Sequence, residues 1–263
     1  MKIAFTILAA LLITTFSFAQ EEKERDTTKV KYKGKVVIFT SDDEEPMLDE
    51  DKKWDVSQWE GIEFGVNGFF TSNDFGINDD PNNLYLELDY AKSLMINLNL
   101  FEFNRRIGSE KFRFYTGLGL RFNRYAFKST NSTLSYNDTS IYSVTDSVKT
   151  FDKNYLNTSY LTAPLFLSFM PGKDPNKSFH VSVGAIVNYR IGSRIKQKYV
   201  IQDQKRKDIE KGHYHLNPFL LDASVRIGVG DVSIFANYGM NGLFESGKGP
   251  DYIPFNAGIS LTF

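Results

Sequence analysis

Seven ionisable residues, Glu63, Arg113, Arg121, His180, Arg190, Asp222 and Arg226, stand at alternate positions of otherwise apolar stretches. Successive side chains of a strand point to opposite faces, so each shares a face with polar or small neighbours and opposes Ile, Phe, Leu or Val. If the polar faces turn inward, all seven share one narrow interior, with Glu87 and Asp89 approaching its outer end. Charges that cannot reach bulk water must be paired. Two chemistries are then open: a salt-bridged plug, or a polar track for protons or small ions. A ring of eight strands is only wide enough for side chains, which favours the plug.

Other chemistry has thinner support. The chain has no Cys and three His, so a nucleophile–base set would have to come from Ser and His. His213 and His215 flank Tyr214 and share one side of an extended segment; Glu210 is the one plausible third ligand for a metal there. Polar loop histidines are the simpler reading, and His180 reads as an interior hydrogen-bonding group. The acidic run at 41–45, followed by 49–51, could attract a hard cation but matches no EF-hand spacing. It reads as a solvated linker. No catalytic set, metal centre or cofactor is assigned. Arg194, Lys196, Lys198, Lys205, Arg206, Lys207 and Lys211 make one segment strongly basic, with Tyr199 and Tyr214 among them. Facing outward it would meet the phosphates of lipopolysaccharide, or it is simply a charged, solvated loop. The segment 129–159 is instead rich in Ser, Thr, Asn and Tyr, a composition common in adaptable contact surfaces. A net charge of −1 gives no reason to expect nucleic acid.

The elements that would position these residues alternate with period two. Ile62, Phe64, Val66 and Phe70 oppose Glu63, Gly65 and Asn67. A second segment carries Leu84, Leu86, Leu88 and Tyr90, then Leu94, Ile96, Leu98 and Leu100, against Asn97 and Asn99. Further segments cover 112–122, 161–169, 179–191, 221–228, 232–240 and 256–263. Each is near the length of a tilted membrane-crossing strand, about 9–11 residues. Glycines at 65, 117, 119, 184, 228, 239 and 258 all fall on the polar face, where a narrow interior needs small residues. Short links (106–110, 171–177, 228–231) alternate with long polar ones, the longest at 129–159. That is the arrangement of outer-membrane barrels, with turns in the periplasm and loops outside. The sequence thus predicts an all-β fold: an eight-stranded antiparallel up-and-down transmembrane β-barrel. A soluble lipocalin-like barrel or sandwich is the alternative, with the apolar faces inside. The polar faces argue against it, being Asn, Gly, Tyr and Arg rather than Lys and Glu.

Both ends fit export. Met1-Lys2 precedes an apolar stretch at 3–18, and Ser17 and Ala19 make a small-x-small pattern before Gln20, so 1–19 reads as a signal peptide. Residues 20–55 read as a periplasmic extension and 56–263 as the barrel. The closing strand sets Ala257, Ile259, Leu261 and Phe263 against Asn256, Gly258, Ser260 and Thr262. A strand ending on an aromatic residue is the kind that barrel-assembly machinery reads, so Phe263 is expected to engage it. An even strand count then places both termini in the periplasm.

The strings Trp59-Glu60-Gly61-Ile62, Tyr115-Thr116-Gly117-Leu118-Gly119-Leu120, Tyr160-Leu161-Thr162-Ala163-Pro164-Leu165 and Phe255-Asn256-Ala257-Gly258-Ile259 carry a family resemblance. Over 54–263 the chain resembles the outer-membrane β-barrel domain family that contains the PorT-like proteins, similar in architecture to the OmpA and OmpX barrels. The resemblance implies residence in the outer membrane and contact with its lipids, but hardly any particular activity, since such barrels serve as adhesins, anchors, secretion accessories and enzymes. The role expected first is structural, interaction or secretion-accessory rather than enzymatic. Lipid A modification is the enzymatic alternative and a small pore the third, since fold alone does not fix activity.

Overall fold

The structure is a computed structural model that describes residues 27–32, 35–40, 57–71, 81–172 and 177–263. The expected signal peptide and the acidic run at 41–51 lie outside the described residues. The chain divides into two units, Met1–Trp54 and Asp55–Phe263. In the first, β1 (Thr27–Tyr32) and β2 (Lys35–Thr40) form an antiparallel hairpin.

The second unit is all-β, with no α-helix among the described residues. Its strands are β3 (Gly61–Phe70), β4 (Leu94–Ile107), β5 (Ser109–Ala126), β6 (Ser132–Tyr136), β7 (Ile141–Thr145), β8 (Phe151–Phe169), β9 (Phe179–Ile201), β10 (Gln204–Lys211), β11 (Phe219–Val229), β12 (Val232–Gly239) and β13 (Ile253–Thr262). One large antiparallel sheet runs β10-β9-β11-β12-β13-β3-β4-β5-β8, and β8 pairs with β9 as well. Eight of its strands therefore each have at least two hydrogen-bonded neighbours, and β9 has three. Tight turns join β4 to β5 at Gly108 (φ 69°) and β11 to β12 at Gly230 (φ 56°), a left-handed backbone that favours glycine.

The sheet inverts the burial of a water-soluble domain. Along β11, Asp222, Ser224 and Arg226 are buried while Leu221, Val225 and Ile227 are exposed; along β12, Ser233 and Asn237 are buried while Val232, Ile234 and Tyr238 are exposed. Glycine on the buried side makes room for rings as well as for polar groups. A Cβ on Gly65 would stand 3.2 Å from Phe235, and one on Gly117 only 2.8 Å from Trp59.

Several boundaries differ from the sequence expectation. Residues Pro81–Leu86 form a 3-10 turn rather than the start of the second strand. Leu86 and Leu88 are buried among loop residues, so their alternation reflects loop packing. β8 and β9 run well past the expected segments, and the expected 129–159 loop contains the β6–β7 hairpin.

The register of β4 breaks close to Phe101–Phe103, where the sequence leads one to expect a bulge. A bulge between Asn99 and Phe101 leaves both Leu100 and Phe101 outward and turns Glu102 to the opposite side from Phe103. In unbroken alternation through Leu100, Phe101 and Phe103 would join the polar side and Glu102 the apolar one. Deleting Leu100 removes the bulge and leaves Asn99 and Glu102 inward, so it is expected to cost at least about 2 kcal/mol less, read from the urea midpoint of the refolded protein, than deleting Ile96, which turns Asn97 outward. Equal losses in the two variants would contradict this register.

Candidate functional site

The polar side of the sheet converges on two ion pairs. Arg121 on β5 meets Asp222 on β11 at 2.5 Å, and Arg226 on β11 meets Glu63 on β3 at 2.5 Å, with all four side chains buried. Asn97 on β4 links them: its Nδ2 donates to Glu63 Oε2 (2.6 Å) and its Oδ1 accepts from Arg121 Nε (3.2 Å). Asn99 donates to Glu63 Oε1 at 3.0 Å, and Asn188 donates to Asp222 Oδ2 at 3.0 Å. One network thus ties β3, β4, β5, β9 and β11 together. Buried charge needs both a partner and satisfied lone pairs to be tolerated, and the asparagines supply the second.

The two pairs differ in kind. Arg121–Asp222 is a hydrogen-bonded pair. Arg226–Glu63 has the distance of an ion pair without the alignment of an N–H···O bond. Its guanidinium lies instead against aromatic faces, 4.7 Å from the Trp59 ring centre, 5.0 Å from Phe166 and 5.7 Å from Phe235. Such contacts stabilise a weakly hydrated, planar cation where water is absent.

Trp59 itself is held by an unexpected clamp. Glu102 Oε2 accepts from Ser57 Oγ (2.7 Å) and from the backbone N–H groups of Gln58 (2.8 Å), Trp59 (2.6 Å) and Glu60 (3.2 Å). Consecutive N–H groups turned onto one carboxylate form an anion nest. The β4 bulge supplies that carboxylate. Trp59 is fully buried with Tyr115, Phe166 and Ile186 at the tight-turn end. At the long-loop end a second apolar cluster, including Tyr85, Leu86, Leu134, Tyr214 and Phe244, packs over the polar network.

Of the seven ionisable residues singled out from sequence, four (Glu63, Arg121, Asp222, Arg226) share the network. Arg113 and His180 are buried elsewhere on the same side, His180 opposite Gly228. Arg190 is set apart: it donates to Ser193 Oγ (3.0 Å) and Leu216 O (3.0 Å) near the long loops. Glu87 and Asp89 are also outside it, paired with Lys128 and Lys92. Alternation put Asn97 and Asn188 on the polar side, but a neutral amide gives no charge signal and so no role was indicated; Glu102 and Trp59 were missed, Glu102 because the bulge masked its facing.

The histidine pair is absorbed by loop packing. His213 Nδ1 accepts from the backbone N–H of His215, and the His215 ring contacts Asn137 O at 2.6 Å. Among the described residues no three His, Cys, Asp or Glu side chains are grouped as metal ligands. The basic segment forms the β9–β10 hairpin. Cross-strand partners share a face, which puts Arg194, Lys196, Lys198, Lys205, Lys207 and Lys211 on one face and Arg206 on the other.

Comparison with protein-family models, characterised proteins and solved structures returns no match.

Two predictions follow from the network and the clamp. Asp222→Asn, which strands the Arg121 charge, is expected to destabilise the protein by about 3–5 kcal/mol in chemical denaturation. In a double-mutant cycle the same change should cost far less once Arg121 is Met. In a Trp54→Phe background, Glu102→Ala should red-shift Trp59 emission as the segment at 57–60 loosens; an unchanged spectrum would contradict the clamp.

Proposed function

We propose that the Asp55–Phe263 unit is a closed, eight-stranded β-barrel integral to a bacterial outer membrane, acting as a structural or interaction protein rather than as an enzyme. The inverted burial carries this reading. Val225, Ile227, Val232, Ile234 and Leu261 stand exposed on one surface while Arg, Asp, Glu and Asn fill the other. Removing each large aliphatic side chain from water is worth about 1.5–3 kcal/mol, so such a surface belongs in lipid. The β8–β9 ladder supports closure, since it leaves each of the eight strands paired on both edges. Exposed aromatics toward the strand ends, such as Phe112 with Phe169 and Tyr189 with Phe219, suit the interfacial girdles of such barrels.

The packed interior supports a binding or accessory role over a pore. Its ion pairs lie between two apolar clusters, and loop hairpins supply the surface a partner would meet. A secretion-accessory role, as in PorT-like proteins, is the form of this function we favour.

Purified protein refolded in detergent is expected to migrate faster unboiled than boiled, with a β-type circular dichroism spectrum. A water-soluble protein without that shift would turn the reading into a periplasmic β domain. In planar bilayers no steady channel is expected, and a persistent conductance would overturn the plug. A deletion strain should keep its lipid A mass spectrum and change its profile of exported proteins. An altered acyl or phosphate group would instead favour an enzyme.

A further inference from the structure

The outward surface where β4, β5, β8, β9 and β10 meet carries a row that neither its charge nor its shape leaves idle. Leu94, Arg124, Asn157 and Arg194 are successive cross-strand partners, and Lys211 pairs with Arg194 at the end of the row. The neighbouring row is Ile96, Phe122, Ser159 and Gly192. With Ile191 they line a groove of about 500 Å³ whose apolar lining is Leu94, Ile96, Phe122 and Ile191 and whose cations are Arg124, Arg194 and Lys211. Gly192 keeps it open, because nothing lies within 4 Å of where its Cβ would be.

A second bulge creates this surface. The register shifts between Ser159 and Tyr160 opposite Ile191, so Ile191 and Gly192 are both exposed and the alternation of β9 changes phase. Arg190, before the shift, keeps the inward parity of His180 and Asn188, while Arg194, Lys196 and Lys198, after it, turn outward. Beyond the groove the cations continue. Lys153, Lys198 and Lys207 form one cross-strand row, and Lys205 lies past them opposite Val200. Asp152, at the bulge between Phe151 and Lys153, is the carboxylate adjoining these rows. Asp208 and Glu210 face the other side of the hairpin, where Asp208 accepts from Tyr199 Oη at 2.8 Å. Partial burial, then the charges of Lys207, Lys198, Arg124 and Arg194, hold the Lys196 pKa below its usual value. That repulsion is relieved by a bound anion.

We infer that this groove binds a phosphorylated glycolipid of the surrounding leaflet, with phosphate on Arg124, Arg194 and Lys211 and an acyl chain along Leu94, Ile96, Phe122 and Ile191. The inference rests on the outer-membrane reading above. Charge complementarity selects the occupant: guanidinium and ammonium groups gathered beside an apolar lining match a ligand with clustered phosphates above hydrocarbon. A lipid with one phosphate engages only some of these cations.

The test is native mass spectrometry of the full detergent-folded protein, with diphosphoryl lipid A as the probe. Wild type should retain bound lipid A. Arg124→Gln, Arg194→Gln and Lys211→Gln combined should weaken retention roughly 10- to 100-fold, the loss expected for charge-assisted contacts. Gly192→Ile, which fills the groove without touching a charge, should also weaken it, whereas Arg206→Gln on the opposite face should not. Dephosphorylated lipid A should bind no better to wild type than to the triple variant. Equal retention by wild type and the triple variant would overturn the site, and displacement by equimolar phosphatidylglycerol would overturn the choice of lipid. Unboiled mobility of each variant identifies misfolding. A heat-modifiable protein that binds no lipid A would defeat this inference and leave the barrel reading standing.

Discussion

Asn97 holds two buried charge pairs in one network, and the rest of the unit is arranged so that this is possible. An asparagine can donate and accept at once, which lets it satisfy Glu63 and orient Arg121 together. Replacing either carboxylate by an apolar group would remove the partner of an arginine that cannot lose its proton. The network therefore fixes register: a slip of one residue in β3, β5 or β11 would send a charge to the apolar face, and one in β4 would send the linking amide there. Specification of register is what a sheet of alternating faces needs most.

The bulges at Leu100 and Ile191 act as phase-shifters on that constraint. The first keeps Phe101 and Phe103 outward while turning Glu102 in; the second turns Ile195 and Tyr199 in and the neighbouring cations out. At Leu100 the change delivers Glu102 to the backbone of 57–60, which seats Trp59 beneath Arg226. At Ile191 it moves Arg194, Lys196 and Lys198 to the outer surface and leaves Arg190 to bind Ser193 and Leu216. One device thus builds the interior anchor at one end and a basic outer face at the other.

Much of this was legible in the sequence because period-two alternation is a direct image of a two-faced strand. Glu63, Arg121, Asp222 and Arg226 sit on the polar parity of their strands, and that parity put them together. The run Leu98, Leu100, Phe101 and Phe103 leads one to expect a bulge near Phe101–Phe103 without fixing its place, whereas nothing in the sequence marks the phase change at Ile191. The β9–β10 hairpin was read as a loop because its cations carry no apolar alternation. Leu84 to Tyr90 erred the other way, since alternating leucines serve a loop cluster as readily as a strand. The proposed lipid-facing surface rests on where the apolar face lies, and strand pairing and burial support that placement.

That orientation is open to direct measurement. The chain has no native Cys, so single substitutions can be spin-labelled without background. With labels at Ser224→Cys, Val225→Cys, Ser233→Cys and Ile234→Cys in lipid bilayers, collisions with apolar oxygen and with a water-soluble nickel complex report each environment. The account predicts high oxygen and low nickel accessibility at 225 and 234, and low values of both at 224 and 233. Nickel accessibility at 225 and 234, or oxygen accessibility at 224 and 233, would contradict it.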